Sequence, residues 1–580
     1  MIDATNRNTA LASALVDELG RAGVTHAFLA PGSRSSPIAL ALDREPAIAL
    51  DVVLDERSAG FAALGASLAT GAPAVVACTS GSAAANLHPA VVEADQAGAP
   101  LIALTSDRPP ELRGIGAGQT IDQIGLFGSA VRWFCEVGTH AADDSGLLHM
   151  RASGSRAVAE AQSGRGPVHL NLSWRDPLGP EPAPGDVSAA DPLALEGRSE
   201  GRPLTTGLVG REAGAGLADA LAGAIAEASR GMIVAGRATD RRLVPPIVAL
   251  AARTGFPILA DPTSQLRFGP HDRTSVITAY DLIVRAWRED VVPDLVLRFG
   301  DLPTSKPLRL WLRAGGCDQV VIDPAGRWNE PTRIAGALVR ADPETLVERL
   351  LALLPPAAAE RSPWLDRWTN AEQAARVSIA TTLDAAAGLN EPGVQLALGD
   401  SYRDGERVLI GSSMPIRDAE AFLAGGPAAV TIHSNRGANG IDGLVSTGAG
   451  IALASGEPTW AVIGDLALAH DIGGLALAAR TPGPLRVVVV DNGGGGIFDF
   501  LPQAGQVEPE RFRRLFTTPA ALDLAATATA FGLPYERITD EAGLASLAGR
   551  DRVLAHIPVE REGNVDLHRR IAAAVTAALG

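Results

Sequence analysis

The segment VIGDLALAHD (462–471), followed after a helical stretch by PLRVVVVDNGGGGIF (484–498), holds two apolar strand patterns that each lead into a polar residue. Asp465 follows the first strand, and Asn492, which precedes four glycines, follows the second. Open α/β sheets bind ligands beyond the carboxyl ends of their parallel strands. Carboxylate and amide oxygens, with a peptide carbonyl such as that of Gly494, suit Mg2+, which completes its shell with phosphate and water. The stretch therefore predicts a metal-diphosphate site, and the alternative of a glycine-rich turn without a ligand stays open.

Composition limits the classes of protein that this chain can represent. The 580 residues are 46% hydrophobic, 20% charged and 4% aromatic, which is typical of a globular protein with several domains. The net charge of −16 argues against nucleic-acid binding and against an anionic membrane surface. No apolar run approaches the roughly 20 residues of a membrane span. Three scattered cysteines and a start without a signal-peptide pattern predict a cytoplasmic protein.

Strand and helix patterns alternate along most of the chain, which predicts βαβ units and parallel sheets. We expect an α/β protein with three doubly wound domains, at residues 1–185, 207–353 and 376–580. A segment near 174–206 that is dense in Pro, Gly, Asp and Ser, and LPPAAAERSPW at 354–364, predict linkers at 186–206 and 354–375. The first and third blocks look like variations on one architecture.

Polar residues also follow the predicted strands of the first block. APGSRSSP places Ser33 and Arg34 after one strand, LDERSAG places Glu56 after the next, and TSDRPPELRGIGAGQT carries Arg108 and Gln119. Because strand ends on one edge of a parallel sheet converge, these side chains are expected to share a pocket. Glu56 also opens a helix, where a carboxylate complements the helix dipole, so that simpler role stays open.

Arginines recur after strands in the third block as well. GSSMPIRD carries Ser413 and Arg417, and SNRGANGIDG carries Arg436 and Ile441. Together with the arginines of the first block they predict a cationic pocket for carboxylate recognition. Lys306, in PTSKPLRL of the middle block, is a further candidate. The alternative for each cation alone is a solvated or ion-paired surface position.

These motifs resemble the thiamine-diphosphate enzymes of the pyruvate-oxidase and decarboxylase type. GDL at 464–466 with Asn492 is similar in spacing to the metal motif of that family, with Leu466 and Gly493 in place of its usual Gly and second Asn. Six motifs in order, over all three blocks, resemble in particular the menaquinone-biosynthesis carboligases, in which the GDL variant is typical. The resemblance implies a pyrimidine-binding first block and a diphosphate-binding third block.

The resemblance also implies roles for individual residues. Glu56 would contact the cofactor's aminopyrimidine across a subunit interface, Ile441 would prop the cofactor in a bent shape, and Asp465, Asn492 and the Gly494 carbonyl would hold Mg2+ or Mn2+. The implied cofactor-binding residues are Glu56, Ser413, Ile441, Gly464, Asp465, Leu466, Asn492, Gly494 and Ile497. The implied substrate-binding residues are Ser33, Arg34, Arg108, Gln119, Lys306, Ser413, Arg417, Arg436, Phe498 and Leu501.

The implied reaction is decarboxylation of 2-oxoglutarate and addition of the resulting succinyl semialdehyde carbanion to isochorismate, by a homodimer or homotetramer. Two departures from the family pattern concern the substrate pocket: Gly118 replaces an Asn before Gln119, and Pro307 follows Lys306 where some relatives carry a second basic residue. Two alternatives stay open. One is an acetolactate synthase-like enzyme or a simple 2-oxoacid decarboxylase, and the other is a non-catalytic nucleotide-binding regulator.

Overall fold

The computed structural model describes residues 2–207, 212–238, 241–287, 291–357, 362–386 and 388–580. Within these residues the chain forms three six-stranded sheets, and every strand pairing in them is parallel. This confirms the predicted α/β class with three parallel sheets. None of the helices in these ranges combines the length and the apolar character that a membrane crossing requires.

The first block forms the first sheet, in the strand order β2-β1-β3-β4-β6-β5. Its strands are β1 His26–Leu29, β2 Ala49–Val52, β3 Ala74–Cys78, β4 Leu101–Asp107, β5 Trp133–Gly138 and β6 Pro167–Ser173. Its helices are α1 Arg7–Arg21, α2 Ser36–Arg44, α3 Glu56–Thr70, α4 Ser82–Asn86, α5 His88–Ala97, α6 Asp144–Gly164 and α7 Pro192–Glu196.

The middle block forms the second sheet, in the order β12-β11-β10-β7-β8-β9, which is the strand order of a dinucleotide-binding fold. Its strands are β7 Gly231–Ala235, β8 Ile258–Ala260, β9 Val276–Ile277, β10 Leu295–Phe299, β11 Asp318–Ile322 and β12 Ala337–Val339. Its helices are α8 Ala215–Glu227, α9 Val244–Thr254, α10 Tyr280–Ala286, α11 Lys306–Gly315 and α12 Pro343–Leu353.

The third block forms the third sheet, in the order β14-β13-β15-β16-β18-β17. Its strands are β13 Arg407–Ile410, β14 Thr431–His433, β15 Thr459–Gly464, β16 Leu485–Asp491, β17 Tyr535–Arg537 and β18 Arg552–Pro558. Its helices are α13 Pro363–Asp384, α14 Glu391–Ser401, α15 Met414–Phe422, α16 Leu444–Ser455, α17 Asp465–His470, α18 Gly474–Ala478, α19 Gln503–Gln506, α20 Pro509–Phe512, α21 Leu524–Ala530, α22 Glu541–Ser546 and α23 Asn564–Leu579.

The chain divides into two compact units, and the division does not follow the three blocks. Unit 1 comprises Met1–Val209, Asn435–Gly456 and His470–Pro482, and unit 2 comprises Gly210–Ser434, Glu457–Ala469 and Gly483–Gly580. Unit 1 therefore contains helices α16 and α18 of the third block. Contact between α16 and α3 explains this assignment, because the two helices approach so closely that glycines are required where they meet.

Both expected linkers contain residues that pack against other parts of their unit. Within unit 1, part of 186–206 packs on the first sheet's helices: Ala194 is buried, and its carbonyl accepts a hydrogen bond of 2.9 Å from Arg151 Nε. In the second, 358–361 lie outside the described residues, and 363–375 form the first half of α13. Trp364 and Trp368 of this helix are buried in the core of unit 2.

Candidate active site

Strands β15 and β16 of unit 2 bring the predicted metal ligands together. Gly464 pairs with Val490 in the strand register, so Asp465 lies level with Asp491, and Asn492 lies one residue further on. The backbone N–H of Gly494 donates a hydrogen bond to the Asp465 carboxylate. Asp465, Asn492 and Gly494 therefore meet at the carboxyl edge of the third sheet, where the sequence predicts them.

The electrostatics of this corner favour a cation. Burial and then the neighbouring Asp491 raise the pKa of the Asp465 carboxyl to about 6. The Asp491 carboxylate is paired with His556 Nε2 at 2.9 Å, which is the main cause of its own lowered pKa. Asp465 is only 7% exposed, and a cation beside it would offset the cost of burying its charge.

The hydrogen bonds of the Asn492 side chain are those expected of a metal ligand. Its Nδ2 donates to the Glu391 carboxylate, while its Oδ1 is buried and finds no hydrogen-bond partner among the described residues. A buried amide oxygen without a partner is costly unless a ligand satisfies it. Across the described ranges there is no cluster of three or more His, Cys, Asp and Glu side chains for a metal. The donors of this corner are instead one carboxylate, one amide and a peptide carbonyl, which is a donor set that Mg2+ accepts.

The glycine run allows the loop after β16 to turn tightly. Gly493 and Gly494 have φ values of 74° and 127°, which disfavour residues with a side chain. A Cβ on Gly494 would lie 2.3 Å from the Thr517 carbonyl oxygen. At Gly464 a Cβ would meet no atom of the described residues within 4 Å, so the strand end there borders open space. Leu466 is half-buried in α17.

The three predicted apolar residues lie just after this loop. Ile497 and Phe498 are half-buried in a short 3-10 helix, Gly496–Phe500, and the Phe498 ring lies 5.7 Å from that of Phe516. Leu501 is exposed.

Two predicted polar residues of unit 2 follow strand β13. Ser413 precedes α15 with a φ of 75°, a strained backbone conformation for a residue other than glycine. Its carbonyl accepts a hydrogen bond of 2.6 Å from Nη1 of Arg417, which is exposed.

Lys306 is exposed at the first position of α11, and Pro307 occupies the next position.

In unit 1 two of the predicted residues, Arg108 and Gln119, contact Ser80, which is not itself among the predicted site residues. Arg108 Nη1 donates to Ser80 Oγ, and Gln119 Nε2 donates to the Ser80 carbonyl at 3.0 Å. Burial and then the nearby Arg108 lower the pKa of Arg34, so two guanidinium groups lie close together. Ser33 is exposed at the start of the same turn as Arg34. This crowding of positive charge suits an anionic ligand.

Glu56 is half-buried at the first position of α3. The side chain of Asp55 caps the helix, because it accepts hydrogen bonds from the backbone N–H groups of Arg57 and Ser58. Glu56 Oε2 instead accepts from Asn86 Nδ2 at 3.2 Å. Asp55 therefore supplies the cap, while Glu56 lies in the first turn of α3, so its simpler role of complementing the helix dipole stays open.

The loop that carries Arg436 and Ile441 is anchored within unit 1 by Glu93, a residue that the sequence analysis also misses. The Glu93 carboxylate accepts backbone hydrogen bonds of 2.7 Å from both Gly437 and Ala438. Arg436 and Ile441 are half-buried on either side of this anchor. Helix α5 also contains Asp95, so no sequence signal distinguishes Glu93 from an acidic residue that faces solvent.

Comparison with known proteins adds family evidence to this geometry. The family description "Thiamine pyrophosphate enzyme, N-terminal TPP binding domain" matches residues 9–126, and the corresponding C-terminal TPP binding domain matches 428–551. The first range contains Glu56, and the second contains Asp465 and Asn492.

Similar full-length proteins carry the name 2-succinyl-5-enolpyruvyl-6-hydroxy-3-cyclohexene-1-carboxylate (SEPHCHC) synthase. The relative from Chloroflexus aurantiacus is 42% identical and the alignment covers 98% of this chain and 96% of the relative. The relative from Halobacterium salinarum is 44% identical, with 93% and 92% covered. The relative from Myxococcus xanthus is 40% identical, with 99% and 98% covered.

Proposed function

The chain belongs to the SEPHCHC synthase family of thiamine-diphosphate-dependent enzymes, and we propose that it decarboxylates 2-oxoglutarate and adds the resulting four-carbon fragment to isochorismate. The products are SEPHCHC and carbon dioxide, and the reaction belongs to menaquinone biosynthesis. The family membership sets aside the alternative of a non-catalytic nucleotide-binding regulator.

The observation that carries the proposal is the corner formed by Asp465, Asn492 and Gly494. It combines a buried carboxylate with a buried amide oxygen that has no partner among the described residues. In our proposal these residues hold Mg2+ or Mn2+ on the diphosphate of the cofactor, with Gly464 and Leu466 beside it. The metal then anchors the cofactor.

When bound, thiamine diphosphate supplies the electron sink for decarboxylation and carbon–carbon bond formation. The protein's part is to bind and orient. We assign Glu56 to a hydrogen bond with the aminopyrimidine of a cofactor held by a second copy of the chain. Ile441 and Ile497 supply apolar contacts, and the backbone around Ser413 contributes a polar one.

Both proposed substrates are dicarboxylates, so recognition requires several cations. Arg34 and Arg108 support this assignment because their guanidinium groups lie close together, with Asp176 3.6 Å from Arg34 and with Gln119 beside Arg108 at Ser80. Bidentate arginine contacts are well suited to carboxylates. The remaining proposed substrate contacts are Ser33, Lys306, Ser413, Arg417, Arg436, Phe498 and Leu501.

A homodimer is the smallest assembly that we propose, and a homotetramer is the expected form. Leu54 and Val52 are 85% and 46% exposed beside Glu56, and an exposed apolar patch next to a site residue supports docking of a second copy there. The three cysteines are free thiols, which supports a reducing, cytoplasmic setting.

The test is decarboxylation by the holoprotein in the presence of isochorismate, with either 2-oxoglutarate or pyruvate as donor. The proposal predicts carbon dioxide release from 2-oxoglutarate and little from pyruvate, because a monocarboxylate leaves part of the cationic pocket unpaired. Preferred turnover of pyruvate would instead favour the acetolactate synthase-like or simple decarboxylase alternative.

A further inference from the structure

The orientation of one amide group decides whether the metal corner can accept a cation. The Asn492 side chain ends in an oxygen and an NH2 group of nearly the same size, and only the oxygen is a metal ligand. A rotation of the amide by 180° would replace the ligand with two N–H donors. The protein therefore needs a contact that distinguishes the two ends.

Glu391 in unit 2 makes that contact. One oxygen of its carboxylate accepts a hydrogen bond from Asn492 Nδ2, and the other accepts from Asn564 Nδ2 at 3.0 Å. A carboxylate only accepts hydrogen bonds, so the amide oxygen of Asn492 cannot face it favourably. Gly496 leaves room for this arrangement, since a Cβ there would lie 2.5 Å from Asn492 Nδ2.

We propose that Glu391 is a positioning residue, which turns the carbonyl oxygen of Asn492 toward the metal and excludes the flipped amide. The inference rests on the proposed function, because it concerns a metal that the proposed cofactor requires. Groups that orient metal ligands from behind commonly affect metal affinity strongly.

The position of Glu391 has a simpler explanation that its contacts do not support. It is the first residue of α14, where acidic residues are common because they complement the helix dipole. The cap of this helix is supplied by Asn390, whose Oδ1 accepts from the Gly393 N–H at 2.9 Å. Glu391 is 3% exposed and directs both oxygens to side-chain amides of other elements.

The surroundings of Glu391 hold it in place. Asn564 begins α23, and its carbonyl accepts from His568 Nδ1 at 2.8 Å. His568 Nε2 in turn lies 2.9 Å from Asp418 Oδ1. Glu391 is therefore bonded both to Asn492 and to Asn564, and Asn564 is linked through His568 to Asp418.

The test measures metal binding directly. Binding of Mn2+ in the presence of thiamine diphosphate is followed by electron paramagnetic resonance in the full-length protein and in the Glu391→Gln variant. The glutamine keeps the size of the side chain but offers one acceptor and one NH2 group, so it can satisfy a flipped Asn492. We expect Mn2+ affinity to fall by about 10- to 100-fold.

A second substitution separates positioning from a merely structural role. The double variant combines Glu391→Gln with Asn492→Asp. The metal ligand at position 492 is then a carboxylate, and either of its two oxygens can bind the metal whichever way the group is turned. We expect this double variant to bind Mn2+ within about tenfold of the unsubstituted protein. Glu406→Gln is the matched control, because Glu406 is a buried carboxylate of the same unit that bonds Trp460 and Arg486 and does not contact Asn492.

The outcomes distinguish the inference from the proposed function. Unchanged affinity in a folded Glu391→Gln protein, or a double variant as weak as the single one, would overturn the positioning role. If the Glu391→Gln protein does not fold, the Glu391→Asp variant is measured in its place. The shorter aspartate carboxylate cannot reach both Asn492 and Asn564. Native Mn2+ affinity in the Glu391→Asp variant would also overturn the positioning role. Failure of the unsubstituted protein to bind Mn2+ with the cofactor would reject the proposed function, and the inference with it.

Discussion

Asp465 is the single charged side chain of the candidate metal corner. We expect Asp465→Ala to abolish metal-dependent binding of thiamine diphosphate, with a loss of about 100-fold or more in affinity, because the remaining donors are neutral. Calorimetric titration of the cofactor with and without Mg2+ measures this. Without cofactor, the variant should melt no lower than the unsubstituted protein, since the carboxylate that it removes is buried without a cation. Retained tight binding would contradict the assignment.

His169, inside the first sheet, makes stability depend on pH. Burial lowers its pKa to about 3, and its Nε2 lies 2.6 Å from Thr105 Oγ1. In the unfolded chain a histidine titrates near 6.5, so between pH 6.5 and 3 the unfolded state binds a proton that the folded state does not. Stability is therefore lost as the pH falls through this range, by about 1.4 kcal/mol per pH unit.

His169→Gln removes this titration while keeping a hydrogen-bonding side chain. Urea unfolding at pH 7, 6 and 5 measures the effect, and the carboxylates common to both proteins cancel in the comparison. We expect the unfolding free energy of the variant to fall less steeply below pH 6.5. Parallel pH profiles for the two proteins would contradict this, because they would show that folding does not change the pKa of His169.

The sequence predicts a residue when its position in the strand pattern identifies the sheet edge. Asp465, Asn492 and Gly494 follow two consecutive strands, so the pattern predicts their meeting. Glu93 and Glu391 lie in helices, where an acidic residue usually faces solvent, so nothing local indicates that they contact a distant loop or amide. The assigned roles of the site residues stay predictions.

Close contact between two helices of unit 1 depends on the absence of side chains. A Cβ on Gly450 of α16 would lie 2.0 Å from the Ala62 carbonyl oxygen of α3, and one on Gly65 of α3 would lie 2.1 Å from the Thr447 carbonyl oxygen. Backbone atoms cannot yield as a flexible side chain does. The helices therefore pack at a distance that alanine does not allow.

Gly450→Ala tests this packing. The substitution forces the helices apart, so we expect the free energy of unfolding to fall by about 1–3 kcal/mol despite the better helix propensity of alanine. Gly223→Ala is the control, because Gly223 lies on the exposed face of α8 with no described atom within 4 Å of its Cβ. The control should gain about 0.5–1 kcal/mol. Equal urea midpoints for the two variants would contradict the packing argument.

The sequence predicts helices and strands where their apolar patterns are long and periodic. It does not predict which of these elements pack against each other. The strands of the third sheet follow from apolar runs, yet no local pattern shows that α16 packs on α3. The expected linkers stay predictions for a similar reason. Loss of periodicity at 186–206 and 354–375 indicates where a domain ends, but burial of Ala194 and Trp368 depends on surfaces that lie far away in sequence.

Over the whole molecule, the first and third sheets share one strand order. Numbered within its own block, each reads 2-1-3-4-6-5. This agrees with the expectation from the sequence that the two blocks are variations on one architecture. In each sheet the order reverses between the first and third strands of the block, which is where open α/β folds bind ligands. Arg34 and Asp465 follow strands at these reversals, so the fold offers two equivalent binding edges.

Product formation from both substrates tests the proposed reaction most directly. The protein is incubated with 2-oxoglutarate, isochorismate, thiamine diphosphate and Mg2+, each is omitted in turn, and the products are identified by mass spectrometry. We expect carbon dioxide and the SEPHCHC adduct to appear in equal amounts, and only in the complete mixture. Absence of the adduct from a protein that binds cofactor and metal would contradict the proposed reaction.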